Sequence, residues 1–402
     1  MERIIMHIDV NNAFLSWTAI ELLKDGYPVD IRTIESVIGG DESTRHGIVL
    51  AKSPIAKNRG VKTAETLRDA RRKCNNLKTF SPNYNWYKKM SDLVFDKISG
   101  YTPDIEVLSI DECFLDYTPV YELYGDPIKF AHDLKEEIFK SFGFTVNIGI
   151  ANNKLCAKMA SDFEKPDKVH TLFKHEIEKK MYPLSIDQLY GIGKKSAVKL
   201  IELGINKIGD LANASQNDLK KYFKKQTKTI IEKAQGIDNS PVIFEIETRK
   251  GISNSSTFSY NLTKLETIFK SLQALVENSC NNLRKDERYA HVIGVTIKDK
   301  FFKTYSHQRK LINATNSTEE IYEIVKELFL EMWDEDPIRL LGVSLNKLIE
   351  VPTRQLSLFE EADKVDKNTS LDKTVDKLKT QYGSKIIQKA SLLDTKITKK
   401  YD

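Results

Sequence analysis

The chain has 402 residues, 40% hydrophobic and 30% charged, with 62 Lys and Arg against 57 Asp and Glu for a formal net charge of +5. At roughly 100–200 residues per domain this suggests two to four globular units, and an ordinary charged fraction excludes wholesale disorder. No apolar run approaches the ~18 residues of a membrane span, and Met1–Asp9 does not read as a signal peptide because Asp9 closes its short apolar stretch.

The first segment reads as a strand. Ile4, Met6, Ile8 and Val10 alternate with Ile5, His7 and Asp9, so the two sets line opposite faces. Residues 21–78 form a polar, Arg- and Lys-rich excursion. Strand candidates follow at Ile105–Ile110, running into Asp111-Glu112 and Cys113-Phe-Leu-Asp116, and at Thr145–Ile150. Between them Asp126-Pro127 marks a helix start, and Ile128, Ala131, Leu134, Ile138 and Phe142 recur at helical spacing. Helices on a few strands give an α+β unit for about the first 170 residues.

Residues 169–240 read as mostly helical and locally basic, with ten Lys against six Asp and Glu between Ile186 and Ser240. Residues 245–350 combine strand-like runs (Val292–Lys298, Leu340–Leu345) with amphipathic helices, one opening at the capping box Ser317-Thr-Glu-Glu320. After Val351-Pro352 the chain reads as a polar tail whose stretch around Leu371, Val375 and Leu378 is helical-looking, either solvated or a partner site. Cys74, Cys113, Cys156 and Cys280 lie far apart with no C-x-x-C pair, which argues against a disulfide framework or zinc ribbon and for a reducing interior.

Acidic residues at strand ends are awkward for a core and suited to a divalent cation, since Mg²⁺ takes hard oxygen ligands. Asp111 and Glu112 are adjacent, so they share one site only if the chain turns or bulges there. On spacing alone, solvated carboxylates are an equal alternative. Gly191 and Gly193, in Leu189-Tyr-Gly-Ile-Gly-Lys-Lys195, allow a tight turn before a helix N-terminus that offers unpaired N–H groups to a phosphate; Lys194 and Lys195 add charge. This reads as a helix-hairpin-helix. It is not a P-loop, because Lys195 stands where Ser or Thr is needed.

The stretches Ile8-Asp-Val-Asn-Asn-Ala-Phe14, Ser109-Ile-Asp-Glu-Cys-Phe-Leu-Asp116 and Asn147–Asp162 resemble the Y-family DNA polymerases of the bacterial DNA polymerase IV type, collinearly over about residues 3–350. The resemblance implies an α+β right-hand architecture: palm at 1–20 and 79–168, small fingers at 21–78, a helix-hairpin-helix thumb at 169–240, an α/β little finger at 245–350, and a flexible tail at 351–402. It implies a template-directed, error-prone lesion-bypass polymerase acting on primer-template DNA and dNTP as a bacterial, cytoplasmic, nucleoid-associated monomer with no membrane partner. By position, Asp9, Asp111, Glu112 and the Val10 carbonyl would hold two Mg²⁺ ions. Phe14, with Asn12 and Ala13 beside it, would select the sugar, and Lys165 would meet the triphosphate. Where relatives carry a Tyr and an Arg that clasp the triphosphate, this chain has Pro54 and Lys57, leaving Ser53 or Lys52 to assist. Arg249, Lys250, Arg309 and Lys310 are candidate phosphate contacts of the little finger. The pentapeptide Gln355-Leu356-Ser-Leu358-Phe359 resembles the bacterial sliding-clamp motif, with apolar anchors on a polar segment. Two alternatives stand beside this reading: a non-catalytic scaffold bound to DNA and clamp, and a helix-hairpin-helix repair protein of different chemistry.

Overall fold

The computed structural model describes residues 2–42, 45, 47–244, 248–350, 362–383 and 386–387. The chain divides into two compact units, Met1–Gly40 with Ile48–Ile246, and Asp41–Gly47 with Glu247–Asp402. Both mix helix and sheet, as expected from the sequence.

In the first unit, β1 (Ile5–Val10) is the middle strand of a five-stranded sheet. It lies between β6 (Glu112–Asp116) and β7 (Val146–Ala151), antiparallel to both. β5 (Ile105–Val107) and β8 (Val169–Leu172) form the edges. The alternation along β1 decides what covers each face. Met6, Ile8 and Val10 enter a core with Trp17 of α1 (Ala13–Lys24), Tyr87 of α3 (Tyr84–Ser99) and Leu134 of α4 (Pro127–Phe142). The Asp126 carboxylate caps α4 at the amides of Ile128 and Lys129, the start that Asp126-Pro127 predicts.

The other face lies under α5 (Lys154–Ser161). Ile5 packs with Leu155 and Ala157 of that helix, and His7 Nδ1 meets Ser161 Oγ at 2.8 Å. Gly149 permits this approach, because a Cβ there would lie 2.1 Å from the Ala157 carbonyl and 2.4 Å from the Ser161 amide.

The expected strand 105–110 is interrupted. β5 ends at Val107, and the amides of Leu108 and Ser109 both donate to the Glu112 carbonyl, folding the chain back into β6. Asp111 therefore sits on a turn, which meets the condition for sharing a site with Glu112.

Residues 36–80 carry a three-stranded sheet ordered β3 (Val49–Lys52), β2 (Ser36–Gly39), β4 (Lys78–Phe80), with α2 (Pro54–Asn58) beside it. Two expected boundaries shift. Residue 21 falls inside α1, and β8 extends the main sheet through parallel pairing with β7, beyond the expected edge at 168. The helical segment beyond it contains α6 (Lys194–Glu202), and its Leu200, Leu211 and Ile230 share one core with Leu155 and Met159 of α5.

The second unit is an antiparallel sheet ordered β11 (Thr304–Thr315), β10 (Tyr289–Asp299), β12 (Ile338–Ile349), β9 (Gly251–Leu262). Leu272 and Val276 of α7 (Leu265–Lys285), with Ile321 and Val325 of α8 (Thr318–Leu330), pack on Ile293, Val295 and Val343. The Ser317 hydroxyl caps α8 at the Glu320 amide, as the sequence predicts. Instead of an unattached tail, Ala362–Tyr382 forms a helix, α9, joined to α7 and α8. Among the described residues no helix is long and apolar enough to cross a membrane.

The contact under Gly149 makes a direct prediction. Gly149→Ala forces α5 off the sheet, and overpacking of this kind costs about 1–3 kcal/mol; chemical denaturation should show a lower midpoint with an unchanged slope.

Candidate active site

Two of the acidic residues meet where β1 ends. Asp9 lies directly opposite Glu112 on β6, and opposite Asn147 on β7. Three side chains of one row thus share a face, the face under α5. The Val10 amide donates to the Asp111 carbonyl at 3.0 Å, tying the two acidic segments together through the backbone. The Asp111 carboxylate accepts from Ser109 Oγ at 2.6 Å across the turn.

Two carboxylates side by side in a nearly closed site require counter-charge. Lys158, from the middle of α5, supplies it: its ammonium is 2.8 Å from Glu112 Oε1, 3.4 Å from Asp9 Oδ2 and 3.5 Å from Asp162 Oδ2. Lys165 adds a second ammonium, 3.0 Å from Asp9 and 2.8 Å from Asp162. The Lys158 side chain is 8% exposed and that of Lys165 is 35%, so only the latter can swing away without leaving a buried charge.

Burial, with the neighbouring Glu112, pushes the Asp9 carboxyl up to about 7 against the pull of Lys165 and Lys158. Burial would raise Glu112 too, but the proximity of His7 and Asp9 and the hydrogen bond from Lys158 at 2.8 Å outweigh it and hold Glu112 below the ordinary carboxylate range. Burial also lowers His7, so its imidazole is neutral at pH 7 and packs against Phe114.

The loop that carries Lys165 is pinned by two buried amides. Asn147 Nδ2 donates to the carbonyls of Ser161 and Glu164, and its Oδ1 accepts from the Lys168 amide and from Asn11 Nδ2. Asn11 Oδ1 accepts from the Asp167 amide at 2.8 Å. Sequence reasoning singled out none of Lys158, Asn11 and Asn147. A polar residue inside an otherwise apolar strand was the available signal for Asn147, and Lys158-x-x-x-Asp162 on one helix face was the signal for Lys158.

Phe14 lies in the first turn of α1, stacked on Tyr87 with ring centroids 4.6 Å apart and edge-on to Tyr84 at 6.2 Å. Thr18 Oγ1 donates to the Phe14 carbonyl and meets Tyr87 Oη at 2.6 Å, so ring and backbone are held together. Asn12 adopts left-handed backbone angles (φ 50°, ψ 50°), and its Nδ2 donates to the Lys52 carbonyl at 2.8 Å. Ala13 is buried.

The structure gives Ser53 a different task from the one expected. Its side chain is fully buried and its hydroxyl accepts from the Ala56 and Ser36 amides, capping α2 with Pro54 in the first turn. Lys57 is exposed in the last turn of α2. Partial burial and the nearby Lys57 lower the Lys52 ammonium. Arg59 is turned to Glu35 at 3.2 Å.

Gly191, at φ 92°, makes the turn, and Gly193 is the N-cap of α6, where Lys194 and Lys195 are exposed. The first helix of the expected pair is a short turn of 3₁₀ helix, Ile186–Gln188. In the second unit Arg249 is engaged with Asp286 at 3.2 Å, and the Arg309 fork is engaged with Glu327 of α8 and with Glu331, which caps that helix, at 2.5 Å each. Register explains Arg309: it pairs with buried Ile293, on the helix-covered side of the sheet. Lys310, on the next strand position, instead lines an open cleft of about 590 Å³ with His291, Ile312 and Lys347. Lys250 opens the approach to β9, and Gln355, Leu356, Leu358 and Phe359 lie outside the described residues.

Residues 8–162 match the impB/mucB/samB family and residues 249–358 match its C-terminal domain. The DNA polymerase IV of Clostridium acetobutylicum is 47% identical over 396 residues, covering 98% of this chain and 99% of that protein. The chain belongs to the Y-family DNA polymerases, in the DNA polymerase IV group. DNA polymerase IV 1 of Bacillus subtilis is 32% identical, over 97% of this chain and 93% of that one. The solved Y-family DNA polymerase chimera Dbh-Dpo4(243-245)-Dbh shares the fold with a TM-score of 0.74 and 24% identity, covering 86% of this chain and 99% of that one. The protein is thus a DNA-directed DNA polymerase of the translesion kind, from a family generally dependent on divalent metal.

Among the described residues no three or more His, Cys, Asp or Glu side chains are drawn together as a metal cage. The donor set nevertheless fits one: hard carboxylate oxygens, paired across the register and already drawing two ammonium groups. The Ser53 finding yields a test for the polymerase. Ser53→Ala should cost about 1 kcal/mol of stability through loss of the cap, while the dNTP Kd stays within twofold in a titration of the primer-template complex.

Proposed function

We propose that the polymerase transfers a nucleotide from dNTP to a primer 3′-hydroxyl at the row formed by Asp9 and Glu112, with Asp111 and the Val10 carbonyl completing the ligands of two Mg²⁺ ions. The observation that carries this reading is the register Asp9↔Glu112, which aligns two nearly buried carboxylates whose excess charge is balanced by lysines. When bound, the Mg²⁺ pair lowers the pKa of the attacking hydroxyl and neutralises charge on the leaving pyrophosphate. The residues of the chain then have positional tasks, as phosphoryl transfer requires.

Lys158 stays, balancing Glu112 and holding it ionised. Lys165, released from Asp9, reaches an incoming triphosphate, a swing supported by its exposure and by the pinned loop behind it. Lys52 and Lys57 add positive charge beside α2. Phe14 excludes a ribose 2′-hydroxyl, supported by the Tyr87 stack that stops the ring from yielding. The α6 N-terminus with Gly191, Gly193, Lys194 and Lys195 meets duplex phosphates without reading bases. Lys250 and Lys310 extend that contact. Gln355–Phe359 tethers the enzyme to the sliding clamp, raising its effective concentration at the primer end. The enzyme acts as a monomer on chromosomal DNA in the bacterial cytoplasm.

Primer extension with Mg²⁺ on undamaged and abasic templates tests the centre of this reading. Asp9→Asn and Glu112→Gln should each lose extension by about 10³-fold or more, a scale set by removal of a charged transition-state contact, with primer-template affinity retained. Extension by either variant near the wild-type rate would overturn the assignment, and no extension by the wild type would favour the scaffold alternative. Phe14→Ala should insert ribonucleotides at rates approaching those for deoxynucleotides; unchanged sugar discrimination excludes the gate. Deleting 355–359 should leave single-nucleotide insertion intact and abolish stimulation by the clamp.

A further inference from the structure

Arg284, in the last turn of α7, has a side chain only 9% exposed. Its Nη1 donates to the Asn316 carbonyl and Thr318 Oγ1, both at 2.9 Å, and to Asp372 Oδ2 at 3.2 Å. Its Nε and Nη2 grip Asp376 as a fork, at 2.5 and 3.2 Å. Asp372 Oδ2 also accepts from the Thr318 amide at 2.9 Å, so a carboxylate from α9 lies on the N-terminus of α8. Lys379 lies 4.0 Å from Glu277 of α7, a weaker third point.

Neither half explains itself alone. Without α9, the Arg284 guanidinium would keep one hydroxyl and one carbonyl as partners and no carboxylate. The corner is shaped for two carboxylates one helical turn apart, and Asp372 and Asp376 have that spacing. Among the described side chains of α9 the apolar hold is slight, with Leu371 63% exposed and Val375 and Leu378 half-buried. Charge therefore dominates the attachment they make, and a helix held by so few contacts can detach and rebind, with salt weakening the encounter of the separated charges.

We propose that Arg284, Thr318 and the α8 N-terminus form a receptor for a helix that presents two carboxylates one turn apart, and that α9, through Asp372 and Asp376, is its resident, detachable ligand. The receptor holds the chain on both sides of residues 351–361, through β12 before them and α9 after them; release leaves only the first attachment. This inference does not depend on what those residues bind.

A fluorescently labelled peptide of residues 362–383, followed by anisotropy, tests it against the full-length protein and the full-length Asp372→Asn/Asp376→Asn variant. The peptide should bind the variant, whose own helix has lost its carboxylates, roughly tenfold or more tighter than the wild type, with affinity falling from low to high salt. A peptide carrying the same two substitutions should bind neither. Binding to neither protein by the wild-type peptide, equal binding to both, or equal binding by the substituted peptide would each overturn the receptor. Hydrogen exchange on the same two proteins gives an independent reading. Amides 371–383 should be protected in the wild type and exposed in the variant, with β10 protected in both; protection of 371–383 that survives the substitutions rejects the clasp.

Discussion

Two carboxylates placed side by side on adjacent strands, almost out of water, repel each other and lose hydration together. Either they acquire cations or one takes a proton. The upward push on Asp9 and the downward pull on Glu112 are two expressions of this one constraint. Lys158 resolves part of it permanently, and its place depends on features far from it in sequence. Its helix must lie close on the sheet, which Gly149 allows, and the helix must keep its rotation, which the His7–Ser161 contact and the apolar Leu155 and Met159 secure. Lys165, more exposed, balances the remainder. In the proposed reaction the pair would divide the work between a fixed counter-charge and a movable one.

Much of this architecture was legible in residue order. The alternation in Ile4–Val10 assigns Asp9 to the face opposite the aromatic core, and that assignment holds. The Asp126-Pro127 and Ser317 starts hold because capping is local chemistry, written within four residues. Features that depend on pairing between distant segments were not legible. The Ile105–Ile110 run looked continuous, because nothing in it announces that Leu108 and Ser109 both turn onto the Glu112 carbonyl. β9 and β11 went unread because their exposed faces carry Ser, Thr, Asn and Lys, which dilute an alternating pattern.

The candidate site divides in the same way. Carboxylates and Phe14 stand in motifs dense enough to be recognised, whereas Asn11, Asn147 and Lys158 act by filling hydrogen-bond or charge deficits that exist only after folding. Arg309 shows the opposite error. A lone cation on a strand reads as available to DNA, but register turns it toward α8, where Glu327 and Glu331 wait. The attachment of α9, whose helical pattern is readable around Leu371, Val375 and Leu378, was obscured for a related reason, since its partners on α7 and α8 lie 88 and 54 residues earlier in the chain.

The segment around α2 shows how a local preference can commit side chains to structure. Pro54 lacks an amide and has φ preset for a helix start, and Ser53 caps the amide of Ala56, so this stretch is committed to beginning α2. The side chains at its start are spent on that geometry, and Arg59 is engaged with Glu35. Positive charge is left to Lys52, anchored to Thr63 Oγ1 at 2.8 Å, and to exposed Lys57. Partial burial, and second the nearby Lys57, disfavour the charge on Lys52. A polyanion lying between the two lysines relieves their repulsion and gains two attractions at once. A pair of point charges cannot impose the planar geometry of an Arg fork, so in the proposed reaction a polyanion there would be held by total charge more than by orientation, and placement of the reacting phosphate would fall to the β1–β6 row.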